Sequence, residues 1–233
     1  MGNGNPNIPV PVPALQHPLK HLNDKLASGA WAKIVAFGSS TTAGEGGIPP
    51  YPERLERALR GQYHKDRRIS VVNRGVGGED ARQELDRLQH DVIDEKPDLV
   101  IWQVGTNTVW NGDDVTDTAD AIRDGLDRLG DSMDIVLMDP QYVPALLTPE
   151  RIGPAKSMVA LIADAAVNAK APVSVFRRFA YMQAWKRVER ISFDRMLNPN
   201  DEHRLHHSDW STQRIADALC QVMQRLLPPV VAS

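Results

Sequence analysis

The chain has 233 residues, 42% of them hydrophobic, which is enough to bury a sizeable core and to form one large domain or two small ones. Its 27 basic and 30 acidic residues give a net charge of −3 and form no long block of one sign, so we expect no nucleic-acid partner and no membrane-surface partner. The only cysteine, Cys220, allows neither an intrachain disulfide nor a cysteine metal cluster.

The start of the chain is rich in proline, asparagine and glycine, and we predict an extended lead-in over residues 1–30 followed by one domain over residues 31–229. Met1 is not followed by the regions of a signal peptide, and no stretch approaches the roughly 18 consecutive apolar residues of a membrane helix. We therefore expect a soluble chain. The lead-in is either the remnant of an exported, periplasmic or secreted protein whose signal was removed, or a linker of a cytoplasmic one.

Short apolar runs alternate with helical patterns along the chain, which is typical of a parallel sheet with crossover helices. Five strands are predicted, over residues 33–37, 69–73, 99–103, 135–138 and 173–176. Apolar residues at i, i+3 and i+4 spacing predict five helices, over residues 51–63, 80–96, 117–130, 154–169 and 208–227. This order predicts a single-domain, three-layer α/β/α sandwich, with one long irregular polar stretch over residues 191–207.

Residues with reactive or hydrogen-bonding groups follow the predicted strands. Ser40 follows the first strand in the stretch GSSTTAG, Gly78 follows the second in NRGVGGED, and Asn107 follows the third in GTN. His206 lies in the later polar stretch NDEHRLHHSDW. Because ligands bind at the carboxyl ends of parallel strands, we expect these groups to meet. Acyl transfer at an ester needs such a set: a nucleophile, a base, and donors for the oxygen that becomes negative.

Each part also has an ordinary structural interpretation, since serine and threonine cap helices, glycine forms turns, and a histidine in a polar loop is usually solvated. A phosphate-binding loop is a poor rival, because Ala43 and Gly44 stand where that motif needs glycine and lysine. A metal site is a second rival, with candidate ligands His203, His206, His207 and Asp209. It would need further ligands, and no second cluster of histidine or aspartate follows a predicted strand.

The four stretches, in this order, resemble the SGNH, or GDSL, hydrolases over residues 33–226. The first stretch matches the family's Gly-Asp-Ser-x-x-x-Gly block, with Ser40 at the nucleophile position and Ser39 in place of the usual aspartate. The second resembles the block that carries the oxyanion-hole glycine, which falls on Gly78, and the third matches Gly-x-Asn at Asn107. The stretch LHHSDWS resembles the family's Leu-His-x-x-Asp-Trp form and places the catalytic base at His206.

One position departs from the family pattern. The family usually has aspartate three residues before the histidine, and here that position is His203. Either a short insertion has moved the acid to Asp201 or Glu202, or the enzyme works as a Ser40–His206 dyad supported by a backbone carbonyl. Because the stretch NPNDEHRLH looks longer than the family's usual SPDGLH, we favour Asp201 as the acid.

The resemblance implies a flavodoxin-like fold and a serine esterase that hydrolyses short-chain acyl esters through an acyl-enzyme, with no metal and no organic cofactor. It implies that the backbone N–H groups of Ser40 and Gly78 and the amide of Asn107 hold the oxyanion. The expected substrate is a small-molecule or carbohydrate acyl ester, and the alternative is a carbohydrate O-acetylesterase or O-acyltransferase that uses the same residues. Residues 44–50 are predicted to form part of the pocket rim. Trp102 and Trp110 belong either to the pocket wall or to the core.

Overall fold

The computed structural model describes residues 14–62 and 69–227, and a five-stranded parallel sheet lies at its centre. The strands are β1 Ala32–Gly38, β2 Ile69–Gly75, β3 Leu99–Gln103, β4 Asp134–Met138 and β5 Val173–Phe176. All neighbouring strands pair in parallel, in the order β2-β1-β3-β4-β5. The predicted sheet is therefore confirmed, and the strand ends agree with the prediction to within two residues.

Ten α-helices lie within the described residues, and they connect the strands. They are α1 Lys20–Ala27, α2 Ser40–Ala43, α3 Tyr51–Gln62, α4 Ala81–Leu88, α5 Thr106–Asn111, α6 Val115–Leu129, α7 Ile152–Val167, α8 Arg178–Arg187, α9 Phe193–Met196 and α10 Asp209–Gln224. A π-helical turn over Gln89–Ile93 continues α4. The five predicted helices correspond to α3, α4, α6, α7 and α10. Within the described ranges, none of the helices combines the length and apolar character that crossing a membrane requires.

The central strands form the core of the molecule. Every residue of β3, β4 and β5 is buried. Strands of a parallel sheet are buried on both faces when crossover helices cover them, which explains why they appear in the sequence as continuous apolar runs. The core extends from the sheet to the buried faces of the helices, including Leu55 and Leu59 of α3 and Ile215 of α10.

The predicted extended lead-in over residues 1–30 is wrong in its last third, because residues 20–27 form helix α1. Leu19, Leu22 and Leu26 are buried along this segment at spacings of three and four residues, as expected for the apolar face of a helix. The carboxylate of Asp134, at the start of β4, accepts the backbone N–H of Leu22 at 2.9 Å and so ties α1 to the sheet. Residues 1–13 lie outside the described residues, and the domain limits of 1–30 and 31–229 stay a prediction.

The carboxyl ends of three strands lie side by side. Gly38 pairs with Gly75 of β2, and Phe37 pairs with Trp102 of β3, so β1, β2 and β3 end at nearly one level. Gly75 also lets α2 approach closely, since a Cβ at this position would lie 2.2 Å from the backbone nitrogen of Ala43. The register and this close approach bring the segments that follow the three strands together.

Candidate active site

Ser40 lies two residues after the end of β1, as the first residue of α2. The carbonyl of Ser39 accepts the N–H groups of Thr42 and Ala43, both at 2.9 Å, which fixes the turn between the strand and the short helix. Ser40 is only 7% exposed, and its Oγ lies 3.2 Å from Nε2 of His206. The hydroxyl is therefore held at the carboxyl end of the sheet, within hydrogen-bond reach of an imidazole.

His206 is carried by the loop between α9 and α10. An antiparallel bridge between Leu197 and His207 closes this loop at its base. The Nδ1 atom of His206 lies 3.1 Å from Oδ2 of Asp201, and the same carboxylate oxygen accepts the backbone N–H of Leu205 at 2.7 Å. Asp201 thus holds both the ring and the backbone of the loop in place.

The surroundings of Asp201 favour its charged form. Its side chain is 8% exposed, whereas the neighbouring Glu202 is exposed to solvent. Burial raises the pKa of Asp201, but hydrogen bonds from the backbone N–H groups of His206 and Leu205 oppose this effect, and the pKa is lowered overall. A carboxylate opposite Nδ1 favours a proton on that nitrogen and leaves Nε2 free to accept a proton.

The other residues of the histidine cluster have separate surroundings. Within the described ranges, no group of three or more histidine, cysteine, aspartate and glutamate side chains could hold a metal ion. His207 is buried, and burial, together with the nearby charge of Arg178, lowers its pKa well below the usual value. Asp209 pairs with Arg54 at 2.6 Å. His206 is the histidine whose ring contacts Ser40.

The two tryptophans near the third stretch lie in different environments. Trp102 is fully buried and donates its Nε1–H to Glu84 at 2.8 Å, so it belongs to the core. Trp110 lines the cleft above Ser40. The ring of His203 packs against Trp110 with 5.4 Å between centroids, and the guanidinium of Arg151 lies 4.4 Å from the centre of the same indole ring. His203, which occupies the family's usual acid position, is therefore part of the cleft wall.

Gly78 and Asn107 lie on neighbouring segments beside Ser40. Gly78 has a φ of +85°, a left-handed conformation that favours glycine. Asn107 is the second residue of α5, and its Nδ2 donates to the backbone carbonyl of Glu79 at 2.8 Å. This bond turns the amide nitrogen of Asn107 toward the segment that contains Gly78. Both residues line the same cleft as Ser40 and His206.

The cleft above Ser40 has a volume of about 430 Å³ and a lining of mixed polar and apolar character. Its polar side chains belong to Ser40, Glu45, Asn107, Asn111, His203 and His206. Large apolar surface comes from Trp110 and Leu205. A second pocket, of about 20 Å³, shares Ser40 and His206 with the cleft and is lined by Ile48 and Pro50 of the predicted rim.

Two glutamines that the sequence analysis did not single out also support the site. The Oε1 atom of Gln103 accepts the N–H of Ser39 at 3.2 Å and the hydroxyl of Thr42 at 3.3 Å, on either side of Ser40. Gln141 donates its Nε2–H to the carbonyl of Leu205, next to His206, at 3.3 Å. The available signal for Gln103 was a polar residue at the carboxyl end of an otherwise apolar strand, LVIWQ.

Comparisons with known proteins agree with this fold. The model of a family described as non-GDSL lipase-like matches residues 6–227, and no curated protein matches the chain. A lipase/acylhydrolase from Enterococcus faecalis superposes with a TM-score of 0.72 and 23% identity over 86% of this chain and 100% of its own. A hydrolase from the metagenome of Lake Arreo, Spain, superposes with a TM-score of 0.68 and 20% identity over 86% of this chain and 99% of its own. A variant of an acetylxylan esterase from Geobacillus stearothermophilus superposes with a TM-score of 0.67 and 21% identity over 82% of this chain and 94% of its own. At these identities the likeness shows a common fold.

Proposed function

The chain belongs to the non-GDSL lipase-like family, and we propose that it is a serine esterase that hydrolyses short-chain acyl esters through an acyl-enzyme. The resemblance to the SGNH hydrolases is confirmed at the level of family and fold, and with it the class of carboxylic ester hydrolase. One observation carries the proposed mechanism: Asp201, His206 and Ser40 stand in a row, with contacts of 3.1 Å and 3.2 Å on the two sides of the imidazole.

In the proposed reaction, Nε2 of His206 takes the proton of the Ser40 hydroxyl while Oγ attacks the acyl carbon. Asp201 orients the imidazole and stabilises the imidazolium that forms. When the tetrahedral intermediate collapses, His206 gives the proton to the leaving alcohol and an acyl-enzyme remains. His206 then takes a proton from water as the water oxygen attacks the acyl carbon. The bond to Oγ breaks, Ser40 recovers its proton, and the acid leaves.

The proposed oxyanion hole consists of the backbone N–H groups of Ser40 and Gly78 and the side-chain amide of Asn107. An amide nitrogen carries two hydrogens, so Asn107 can donate one to the Glu79 carbonyl and present the other to the substrate. The first bond would fix the direction of the second. Donors fixed in advance stabilise the developing charge without reorganisation during the reaction.

Replacing Asn107 with alanine tests this assignment. We expect kcat to fall by about 100-fold to 1,000-fold with a much smaller change in KM, because the lost donor acts on the transition state. Asn111, which lines the same cleft, provides the control: Asn111→Ala should change kcat far less. Asn107→Asp keeps the shape but replaces the donor with an acceptor, and it should be about as slow as Asn107→Ala. Full activity in both Asn107 variants would contradict the oxyanion assignment.

The lining of the cleft favours a small or polar ester. The lining combines two large apolar side chains, Trp110 and Leu205, with six polar ones, and the polar side chains suit an alcohol with several hydroxyl groups. This lining supports a second candidate function, hydrolysis of O-acetyl groups on a carbohydrate. Acyl transfer would use the same residues, with an alcohol in place of water as the acceptor.

Hydrolysis of p-nitrophenyl esters from acetate to octanoate, with and without EDTA, tests the proposed activity. We expect turnover that is highest for the short acyl chains, falls toward octanoate, and does not change with EDTA. Acetate release from an acetylated xylooligosaccharide, measured in parallel, distinguishes the carbohydrate esterase from a general one. Turnover that EDTA removes would contradict a metal-independent mechanism, and absence of turnover on every ester would contradict the proposed function.

A further inference from the structure

The side chain of Arg87, on α4, joins the ends of β1 and β2 to the segment that follows β2. Its Nη2 donates to the carbonyl of Gly38 at 3.0 Å, and its Nη1 donates to the carbonyl of Arg74 at 2.8 Å. Its Nε donates to the carboxylate of Glu79 at 2.5 Å. Gly38 lies two residues before Ser40, so one guanidinium contacts the strand that leads to the nucleophile and the segment beyond β2.

Further contacts fix the orientation of this guanidinium. Nη1 of Arg87 also donates to Asp91 at 2.6 Å, and the guanidinium carbon lies 4.3 Å from the centre of the Phe37 ring. The side chain is 17% exposed. Four of its five N–H groups are therefore used, in a planar arrangement that a lysine ammonium does not reproduce.

Glu79 connects Arg87 to the proposed oxyanion hole. The carboxylate of Glu79 accepts the hydrogen bond from Arg87, and the backbone carbonyl of Glu79 accepts the one from Nδ2 of Asn107 at 2.8 Å. Gly78 immediately precedes Glu79. A displacement of Glu79 would therefore move the backbone next to the Gly78 N–H and remove the contact that orients the Asn107 amide.

We propose that Arg87 is a positioning residue for the oxyanion hole. It ties the segment of Gly78 and Glu79 to the end of β1 and so sets the positions of the oxyanion donors relative to Ser40. Arg87 does not line the cleft, and its effect passes through Glu79 and the backbone. This inference rests on the proposed function, because it assigns a role within the esterase mechanism. A displacement of about 1 Å in such a site can lower the rate about 100-fold.

Three variants test the proposal: Arg87→Met, Arg87→Lys and Glu79→Gln. The measurements are kcat and KM for p-nitrophenyl acetate, with kcat expressed per active site titrated with a fluorophosphonate, so that unfolded protein does not contribute. We expect Arg87→Met to lower kcat by about 30-fold to 100-fold while KM changes much less. Arg87→Lys should recover only part of the loss, because the planar fork is missing. Glu79→Gln should lower kcat less than Arg87→Met.

Arg214 provides a matched control. Its side chain is 27% exposed, it forms two hydrogen bonds with Glu189, and it lies 5.0 Å and 5.1 Å from the ring centres of Trp185 and Trp210. It is thus a partly buried, paired and stacked arginine that does not contact the segments around Ser40. We expect Arg214→Met to lower the Tm but to leave kcat per titrated site unchanged.

Two measurements separate positioning from a general structural role. The double variant Arg87→Met/Asn107→Ala should lose less activity than the product of the two single losses, because both act on the same donors. A fourth variant, Arg87→Ala, leaves room for a free guanidinium ion, which at a non-denaturing concentration should restore part of the kcat of Arg87→Ala and none of the kcat of Asn107→Ala.

Unchanged kcat per titrated site in the Arg87 and Glu79 variants would overturn the proposal, as would losses that multiply in the double variant. If Arg87→Met does not fold, Arg87→Lys and Glu79→Gln decide the question in the same assay. A wild type without turnover would overturn the proposed function and this inference together. An active wild type with unaffected variants would overturn only the role of Arg87.

Discussion

Replacing Ser40 with alanine is expected to abolish ester hydrolysis, with a loss of roughly five to six orders of magnitude in kcat. The Oγ of Ser40 is the atom within 3.2 Å of the His206 imidazole, and alanine leaves no atom there to form the acyl-enzyme bond. The fold should be retained, because alanine is a good helix former and Ser40 lies in α2. The circular dichroism spectrum and the Tm should therefore match those of the wild type.

The neighbouring Ser39 is the control for this experiment. Ser39 is 2% exposed and donates its hydroxyl to Gln103 at 3.3 Å. Ser39→Ala should lower kcat about tenfold or less, since a hydrogen bond of this kind contributes about 0.5–1.5 kcal/mol. A fluorophosphonate should label the wild type on Ser40 and leave Ser40→Ala unlabelled, as measured by mass spectrometry. If Ser39→Ala lost activity and Ser40→Ala kept it, the nucleophile would be Ser39 and not Ser40.

The sheet could be predicted from the sequence because each strand is a short, continuous apolar run between turn signals. Five helices were not predicted. α2 and α9 have four residues each and α5 has six, too few for a periodic pattern. In α8 even the charged Arg178 is buried, so the helix has no clear polar stripe. α1 follows a proline-rich start, and its apolar face consists of only three leucines, whose burial the structure shows.

The candidate site could be predicted in part, because Ser40, Asn107 and His206 lie in short stretches with a characteristic order. The choice of the acid depended on loop length alone. In the structure, Asp201 faces inward because its short side chain accepts backbone N–H groups of its own loop, and Glu202 faces solvent. Composition and spacing do not reveal which way such a loop turns.

The supporting residues could not be predicted because their partners are distant in the sequence. Arg87 binds the carbonyl of a residue 49 positions earlier, and Gln103 binds a backbone N–H 64 positions earlier. Backbone groups are present at every position, so the sequence does not indicate which of them a side chain will bind. Only the register of β1, β2 and β3 brings these partners together.

Replacing Asp201 with asparagine is expected to lower kcat by about four orders of magnitude with little change in KM. Asparagine removes the charge that stabilises the imidazolium, and its NH₂ group, if turned toward Nδ1 of His206, favours the wrong tautomer. The amide oxygen then stands in the place of Oδ1 and still accepts the backbone N–H of His203, whereas the N–H groups of Leu205 and His206 lose their acceptor, so the Tm should also fall. Steady-state kinetics from pH 5 to 9 would measure kcat and KM, and a thermal melt would measure the Tm of the variant.

Stability at low pH provides a second test of Asp201. Because its pKa is lowered in the folded protein, the ionised carboxylate stabilises the fold above the ordinary aspartate pKa of about 3.8, and this contribution is lost as the pH falls through the folded pKa. The Tm of Asp201→Asn should therefore fall less steeply than that of the wild type in this acidic range. Equal slopes would contradict a lowered pKa for Asp201.

Glu202→Gln is the matched control, since Glu202 is the next residue and is exposed. We expect it to keep nearly full activity. Loss of activity in Glu202→Gln but not in Asp201→Asn would move the acid to Glu202. Full activity in both variants would mean that Ser40 and His206 work as a dyad. The contact of 3.1 Å between Asp201 and Nδ1 of His206 would then serve only to hold the loop. A carboxylate that stabilises the imidazolium of His206 cannot lose its charge without a fall in kcat.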